Sequence, residues 1–181
     1  MKSLDRFLQR WRIHVAAGFI KPGDAVLDIG AADGALFRQL PRVGRYVGVD
    51  PDLDASKELA ANARLAKGLF PQAIPNEDPF DCVVMLAVLE HIPAEQQRQL
   101  VADFARYLKP GGKVILTVPS GQVDRILDIL KKLHLIDGMA LEEHHGFAVA
   151  DTMPLFTNGG FRLIARRRFQ LGLNNLFVFS K

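Results

Sequence analysis

Apolar residues recur along this chain with two periods, one typical of buried strands and the other of amphipathic helices. Residues 26–29 form a short β-branched apolar run, and residues 35–40 then show helical spacing. Further strand-like runs follow at residues 47–49, 79–85, 113–117, 161–169 and 176–179. Continuous apolar runs are typical of strands that are buried on both faces of a parallel sheet. The alternation therefore predicts an α/β fold.

Helical spacing begins at the N-terminus. The apolar residues that recur there are Leu4, Phe7, Leu8, Trp11, Val15 and Phe19. They predict an amphipathic helix over residues 1–22, which ends near Pro22-Gly23. We expect its apolar face either to pack on the sheet or, with its basic and aromatic residues, to serve as a lid or a membrane-surface contact.

The remaining elements follow from composition and periodicity. Residues 53–66 are rich in alanine and follow Pro51, so they are predicted to be helical. The other predicted elements are a short third strand and loop at 69–77, helices at 94–108, 123–133 and 149–158, and a loop at 142–147.

Two glycines mark the join between the first strand and the first helix. Gly30 and Gly34 allow backbone angles that other residues avoid, and they let N–H groups at the helix start approach a polar ligand. Asp50 ends the next apolar strand, where a carboxylate can accept hydrogen bonds from ribose hydroxyls. This arrangement predicts a nucleotide-type pocket.

Glycine spacing separates two families of such pockets. The dinucleotide motif requires small residues at its first, third and sixth places, which are Gly30, Ala32 and Ala35 here, so only one glycine matches. The segment Asp28-Ile29-Gly30-Ala31-Ala32-Asp33-Gly34 more closely resembles the acidic-x-Gly-x-Gly-x-Gly motif of class I S-adenosylmethionine-dependent methyltransferases. A nicotinamide oxidoreductase is therefore disfavoured.

Three later segments resemble the same family in the same order. Pro79-Phe80-Asp81-Cys82-Val83-Val84-Met85 resembles its fourth strand, Leu89-Glu90-His91-Ile92 the following turn, and Leu108-Lys109-Pro110-Gly111-Gly112 the turn before its fifth strand. The resemblance implies a doubly wound, Rossmann-like, seven-stranded sheet with helices around it. Its strand order would be 3-2-1-4-5-7-6, with strand 7 antiparallel. It also implies a single domain over residues 1–181, in which residues 120–158 form the variable acceptor side.

The resemblance implies S-adenosyl-L-methionine as the cofactor. Gly30 and Gly34 would cradle its methionine end, and Asp28 would support the loop and the amino group. Asp50 would hold the ribose, and the residues after the fourth strand would wall the adenine and the sulfonium. The complete predicted set is Asp28, Gly30, Ala32, Gly34, Asp50, Leu69, Met85, Leu86 and Ala87.

Two positions depart from the family pattern. Ala32 stands where the family has its middle glycine, but alanine adds only a methyl group, so donor binding is expected to survive. Many relatives carry an aspartate after the third strand that bonds the adenine amino group, whereas Leu69 stands here. That contact is expected to be lost, or to come from the backbone of residues 69–70 or from Glu77 or Asp78.

Three histidines are the candidates for catalysis. His91 follows the fourth strand, near where the family presents the methyl group, and it can take a proton at neutral pH. Alternatively, it only caps the turn. His144 and His145 would position the acceptor, unless they are simply polar loop residues. With the two glutamates before them they are metal-ligand types, but adjacent residues of an extended segment point apart, so no metal site is predicted.

Composition excludes several classes of protein. The chain has 181 residues, of which 49% are apolar and 24% charged, with a net charge of +3, as expected for one globular domain. Its one cysteine, Cys82, lies in an apolar strand, and no signal peptide or spanning segment is recognisable. A cytoplasmic protein is expected. Arg166-Arg167-Arg168 alternates between the two faces of a strand, so no nucleic-acid surface is predicted.

The combined prediction is an enzyme that methylates a small organic acceptor, at oxygen, without stable membrane insertion. The alternatives are an RNA or protein methyltransferase and a non-catalytic module that binds S-adenosylmethionine. The family's Asn/Asp-Pro-Pro-Tyr/Phe motif for amino acceptors is absent at residues 86–89. The sequence indicates neither the acceptor nor the oligomeric state.

Overall fold

The computed structural model describes residues 3–40, 42–120 and 148–181. The helices in these ranges are α1 (Ser3–Ala17), α2 (Ala35–Gln39), α3 (Ala94–Tyr107) and α4 (Val149–Asn158). The strands are β1 (Ala25–Ile29), β2 (Arg45–Asp50), β3 (Lys57–Ala60), β4 (Ala63–Lys67), β5 (Phe80–Leu86), β6 (Leu108–Pro119), β7 (Arg162–Phe169) and β8 (Asn174–Ser180). Short 3₁₀ turns, Leu89–His91 and Gln170–Gly172, follow β5 and β7.

The strands form one mixed sheet in the order β3-β4-β2-β1-β5-β6-β8-β7. The strands from β4 to β6 in that order are parallel, so their carboxyl ends meet at one edge. β8 runs antiparallel between β6 and β7. The chain order reverses between β1 and β5, and this switch point is where open α/β sheets bind their ligands.

Helices cover both faces of the sheet. α3 and α4 pack on one face, where the rings of Phe104, Phe156 and Phe179 stack. α1 and α2 cover the other face with Ile13 and Leu36, each only 2% exposed. Burying a side chain of this size contributes about 1.5–3 kcal/mol. The two apolar layers therefore hold the carboxyl edge of the sheet in a defined shape.

The prediction of a helix over residues 53–66 is wrong, because these residues contain the β3–β4 hairpin. Asn62 ties the turn to the start of β2. Its side-chain amide donates to Val43 O, and its backbone carbonyl accepts from Tyr46 N, both at 2.8 Å. Leu65 of β4 points into the core and is 1% exposed. Helix preferences amount to about 0.7 kcal/mol per residue or less, and pairing with β2 outweighs them.

The predicted doubly wound α/β fold is confirmed, with one correction to the strand count. β4-β2-β1-β5-β6-β8-β7 reproduces the predicted order 3-2-1-4-5-7-6, including its antiparallel last strand. An eighth strand, β3, lies at the edge, because the chain returns there as a hairpin instead of a helix. The third strand of the pattern is therefore Ala63–Lys67 and not part of residues 69–77.

The predicted helices at the N-terminus, after β5 and before β7 are confirmed as α1, α3 and α4. The helix predicted at residues 123–133 and the loop predicted at 142–147 lie outside the described residues. None of the helices that the structure describes combines the length and the apolar character needed to cross a membrane.

Candidate functional site

The loop between β1 and α2 contains three left-handed backbone positions. Gly30, Ala32 and Gly34 have φ values of 73°, 45° and 83°, a region that glycine enters easily and alanine does not. Gly30 N and Ala31 N both donate to Val49 O, at 2.9 and 3.3 Å. These bonds tie the loop to the end of β2, so the chain itself sets the shape of the loop.

Two cavities meet at this loop, and Gly30 lines both. The larger has a volume of about 490 Å³ and lies between the loop, the segment after β4, and α3. The smaller has a volume of about 80 Å³ and lies between the loop and α1. A Cβ added at Gly30 would lie 2.4 Å from Val88 Cγ2. The junction of the cavities therefore requires glycine.

The larger cavity has one apolar wall and one polar wall. Its apolar residues are Ile29, Val49, Pro51, Leu69, Phe70, Pro71, Val88, Ile92 and Leu100. Its polar wall comes from α3 and includes Glu95, Gln99 and Asp103. A cavity of this volume and character is typical of small-molecule sites, in which apolar walls bury a ring and a few polar groups orient it.

Neither acidic residue that the sequence offered as a substitute at Leu69 lines the larger cavity in the described part of the chain. Glu77 forms ion pairs with Arg45 and Arg64, and neither Glu77 nor Asp78 is among the residues that line the larger cavity. Leu69 itself lines it and is 66% exposed. Among the described residues, the acidic side chains of this cavity are those of α3, and no local sequence pattern marks them because α3 lies far from the glycine loop along the chain.

The smaller cavity is closed by α1. Gln9, Arg12 and Ile13 of that helix line it together with Asp28 and Leu86. Asp28 is 4% exposed. Burial raises the pKa of its carboxyl to about 7, a hydrogen bond from the Tyr46 hydroxyl lowers it, and the charge of Asp50 raises it. A carboxyl and a guanidinium in one small cavity suit a ligand with both an ammonium and a carboxylate group. Neither Arg12 nor Tyr46 was predicted.

Asp50 supports the loop from the end of β2. Its Oδ2 accepts a hydrogen bond from Ala32 N at 2.8 Å, and its Oδ1 accepts one from Asp52 N at 2.9 Å. Asp50 is 8% exposed and is not among the residues that line either cavity. Each carboxylate oxygen keeps a second lone pair, so contact with a ribose stays a prediction.

The residues at the end of β5 and directly after it lie in different environments. Met85 is fully buried in the core, and Leu86 lines the smaller cavity. Ala87 has a φ of 57°, and its N–H donates to Thr117 O at 3.0 Å. Val88, which was not predicted, lines the larger cavity. The structure therefore brings one predicted wall residue, Leu86, to a cavity.

Gly34 allows the loop to pack closely against β3. Among the described residues, it is not part of either cavity wall. A Cβ added there would lie 2.8 Å from Leu59 Cδ1 of β3. Its backbone angle and this neighbour both favour glycine. Direct contact between Gly34 and a ligand stays a prediction.

The 3₁₀ turn after β5 carries His91 and Glu90. His91 is partly buried, and neither cavity includes it among the described lining residues. Glu90 is 3% exposed. Burial raises the pKa of its carboxyl to about 7, although a backbone hydrogen bond and the charge of Arg12 lower it. His91 thus lies close to the site in sequence, and its catalytic role stays a prediction.

His144 and His145 lie outside the described residues, as do the two glutamates before them. Among the residues that the structure does describe, no three or more His, Cys, Asp or Glu side chains come together in a way that could hold a metal ion.

The chain matches a family model described as methyltransferase domain over residues 2–166. It is 30% identical over 116 residues to ubiquinone biosynthesis O-methyltransferase of Xanthomonas campestris pv. campestris, a match that covers 58% of this chain and 46% of that protein. It is 31% identical over 116 residues to ribosomal protein L11 methyltransferase of Thermus thermophilus, which covers 60% of this chain and 43% of that protein. The chain thus spans about half the length of the curated relatives it matches.

The fold also resembles that of solved structures. Magnesium protoporphyrin IX methyltransferase of Synechocystis PCC 6803, with bound SAH, aligns with a TM-score of 0.65 and 18% identity. The alignment covers 97% of this chain and 82% of that one. At this level of identity the likeness concerns the fold.

Proposed function

This chain belongs to the methyltransferase domain family, and from that premise we propose that it binds S-adenosyl-L-methionine and methylates an oxygen atom of a small organic acceptor. The observation that carries the proposal is the left-handed turn at Gly30, which lines two cavities of unequal size and character. A donor with a large, flat nucleoside at one end and a small zwitterion at the other suits this pair of cavities.

The nucleoside end fits the larger cavity. Val49, Phe70 and Val88 offer apolar surface for an adenine ring. Asp50, at the end of β2, keeps lone pairs for ribose hydroxyls. Because Leu69 replaces the family's aspartate, the adenine amino group would bond the backbone of the segment after β4.

The amino-acid end fits the smaller cavity. Asp28 would accept hydrogen bonds from the ammonium group, and Arg12 of α1 would bind the carboxylate. Both side chains line a volume of about 80 Å³, which leaves room for little more than this end of the donor. α1 would therefore contribute to donor binding as well as to packing.

When bound, the donor supplies an activated methyl group on a sulfonium that departs as a neutral thioether. No covalent enzyme intermediate is needed, so the tasks of the chain are to hold the acceptor oxygen in line and to exclude water. Residues 120–158 would complete the acceptor side. His91, His144 or His145 would accept the proton of the acceptor hydroxyl.

The choice of acceptor rests on the relatives. The ubiquinone biosynthesis O-methyltransferase of Xanthomonas campestris favours a small acceptor and transfer to oxygen. The ribosomal protein L11 methyltransferase of Thermus thermophilus favours a second candidate, transfer to a polypeptide. An RNA acceptor or a non-catalytic donor-binding module are further alternatives. The absence of the amino-acceptor motif at residues 86–89 supports transfer to oxygen.

Labelled methyl transfer tests this proposal. Purified protein would be incubated with methyl-labelled S-adenosylmethionine and, separately, with phenols and carboxylic acids, with ribosomal protein, and with RNA. We expect label only in methyl ethers or esters of the small molecules. Label confined to protein or RNA would contradict the acceptor class, and the absence of transfer in all three would favour the binding module.

A further inference from the structure

Asp28 has an unusual neighbour across the sheet. In the register of β1 with β2, Asp28 pairs with Gly48, which has no side chain. Tyr46 lies two residues earlier on β2 and therefore points to the same face. Its hydroxyl donates a hydrogen bond to Asp28 Oδ2 at 2.6 Å. Tyr46 is 0% exposed and Asp28 is 4% exposed, so water does not compete for this bond.

Gly48 leaves the space through which the hydroxyl reaches Asp28. A Cβ added at Gly48 would lie 3.2 Å from Tyr46 Oη and 2.6 Å from Ala31 Cβ. It would also lie 2.4 Å from Leu65 Cδ2. The phenol is thus held between β1, β2 and β4 with little freedom to move. One carboxylate oxygen of Asp28 is fixed by Tyr46, while the residue itself lines the smaller cavity.

Several charged groups surround this pair. Asp50 of β2 acts on Asp28, while Asp33 and Arg38, from the loop and α2, act on Tyr46. Arg12 of α1 lines the same cavity as Asp28, and its charge also acts on the buried Glu90 of the turn after β5. Burial raises the pKa of the Asp28 carboxyl to about 7, and the bond from Tyr46 opposes that rise. Burial and the neighbouring Asp28 raise the pKa of the Tyr46 phenol, so the phenol stays a donor at neutral pH.

We propose that Tyr46 is a positioning residue that holds Asp28 ready to receive an ammonium group in the smaller cavity, and that any proton on Asp28 leaves when the donor binds there. This inference rests on the proposed function, because it concerns the amino group of the donor. The proton leaves the carboxylic acid for solvent, and the ammonium group takes its place beside the carboxylate. No other bond forms or breaks.

The sign of the pH dependence follows from the chemistry. A carboxylate attracts an ammonium group, whereas a carboxylic acid does not. The affinity for the donor is therefore highest above the pKa of Asp28, and it falls as the pH drops below about 7. Tyr46→Phe removes the bond that favours the ionised form, so the fall should begin at a higher pH.

Calorimetric titration with S-adenosylhomocysteine, from about pH 5.5 to about pH 8.5, tests the proposal. Two buffers of different ionisation enthalpy would report the released proton directly. For Tyr46→Phe we expect the midpoint of the affinity profile to rise by about one pH unit, which lowers affinity at pH 6.5 about tenfold. Affinity at the alkaline end should match that of the wild type.

Tyr107→Phe is the matched control variant. Tyr107 is 5% exposed, and its hydroxyl donates to Ile74 O at 3.0 Å, remote from Asp28 in the hydrogen-bond network. We expect this variant to keep the wild-type midpoint. 5′-Methylthioadenosine, which lacks the amino-acid end, is the control ligand, and its affinity should not vary over this pH range.

A second variant keeps the test decisive if Tyr46→Phe does not fold. Asp28→Asn should make S-adenosylhomocysteine binding weak and independent of pH, and wild-type binding should still depend on the buffer. If the wild type binds S-adenosylhomocysteine without releasing a proton and with the same affinity at every pH, this inference is overturned and the proposed function stands. No binding at any pH would overturn the proposed function with it. An unchanged midpoint in a folded Tyr46→Phe variant would also overturn the role of Tyr46.

Discussion

Ala32 occupies a backbone position that suits glycine, with a φ of 45°. A side chain in this left-handed region costs about 1 kcal/mol. The hydrogen bond from Ala32 N to Asp50 Oδ2, at 2.8 Å, holds the residue there nonetheless. The loop therefore keeps its shape despite this cost, which is why the alanine is tolerated.

Ala32→Gly should raise the free energy of unfolding by about 0.5–1 kcal/mol, because it removes the left-handed strain while keeping the N–H bond to Asp50. Urea denaturation measures this change. Ala31→Gly is the control: Ala31 is 5% exposed and is not among the positive-φ residues, so the same substitution should destabilise. Equal destabilisation by both substitutions would contradict the strain at residue 32.

The burial of Glu90 predicts that the free energy of unfolding depends on pH. Its carboxyl is 3% exposed, and burial raises its pKa from 4.5 to about 7. Because the fold favours the protonated form, this contribution to stability is fully present below about pH 4.5 and is lost as the pH rises through about 7. Glu90→Gln should therefore stabilise the protein at pH 8 by on the order of 2–3 kcal/mol, and change it little at pH 4.5.

Urea denaturation of wild type and Glu90→Gln at the two pH values measures this effect. Glu95→Gln, at an exposed position of α3, is the matched control and should leave the difference between the two pH values as it is in the wild type. A Glu90→Gln variant that is less stable than wild type at pH 8 would show that the charged carboxylate stabilises the fold.

His91 is expected to assist methyl transfer without contributing to donor binding, since neither cavity includes it among the described lining residues. His91→Ala should lower kcat by on the order of 10² if it accepts the hydroxyl proton, and leave the affinity for S-adenosylhomocysteine unchanged. His14→Ala, at an exposed position of α1, is the control. Unchanged turnover in His91→Ala would mean that positioning of the acceptor alone explains the rate. Loss of donor binding in the same variant would show that His91 has a structural role.

At the scale of elements, the sequence predicted what periodicity controls. The apolar runs of β1, β2 and β5 and the stripe of α3 carry clear periods, and all became the predicted elements. The β3–β4 hairpin did not, because β4 is defined by pairing with β2 and β3 by pairing with β4, and local composition shows neither pairing.

In the site, too, the sequence predicted the residues of local motifs and not those brought in by other elements. Gly30 and Asp28 belong to a local motif and do line the cavities. Arg12 and Asp103 reach them from helices outside this motif, and no local pattern marks them. Strand alternation places Tyr46 on the same face of β2 as Asp50. Its contact with Asp28 depends on the register of β1 with β2, which the sequence does not contain.

α1 is the element with the clearest expected response to ligand. Its residues Gln9 and Arg12 line the smaller cavity, while Ile13 anchors it to the sheet. Adding S-adenosylhomocysteine should slow amide hydrogen exchange in residues 9–16, because the bound amino acid ties the helix to the loop. Residues 57–65 of the β3–β4 hairpin line neither cavity and provide an internal control.

Exchange in α1 that does not change on saturation with ligand would contradict this closing role. Residues 120–158 are expected to gain protection only when donor and acceptor are both present. Protection of the hairpin to the same degree as α1 would indicate general stabilisation of the fold by the ligand.

At the scale of the whole molecule, the chain order of the sheet explains where the site lies. The order reverses between β1 and β5, and the two cavities lie on either side of Gly30 at the carboxyl end of β1. Helices of opposite faces, α1 and α3, each line one of them. The apolar layers under these helices thus set the distance between the two ends of any ligand that spans the loop.

Calorimetric titration of S-adenosylhomocysteine into wild type, Gly30→Ala and Gly23→Ala tests this account most directly. Both glycines have positive φ, 73° and 86°, but a Cβ at Gly30 meets Val88 Cγ2 at 2.4 Å and a Cβ at Gly23 meets nothing within 4 Å. We expect binding by the wild type and by Gly23→Ala, and affinity reduced at least about tenfold, or 1.4 kcal/mol, in Gly30→Ala. No heat with the wild type, or undiminished affinity in a folded Gly30→Ala, would contradict the account.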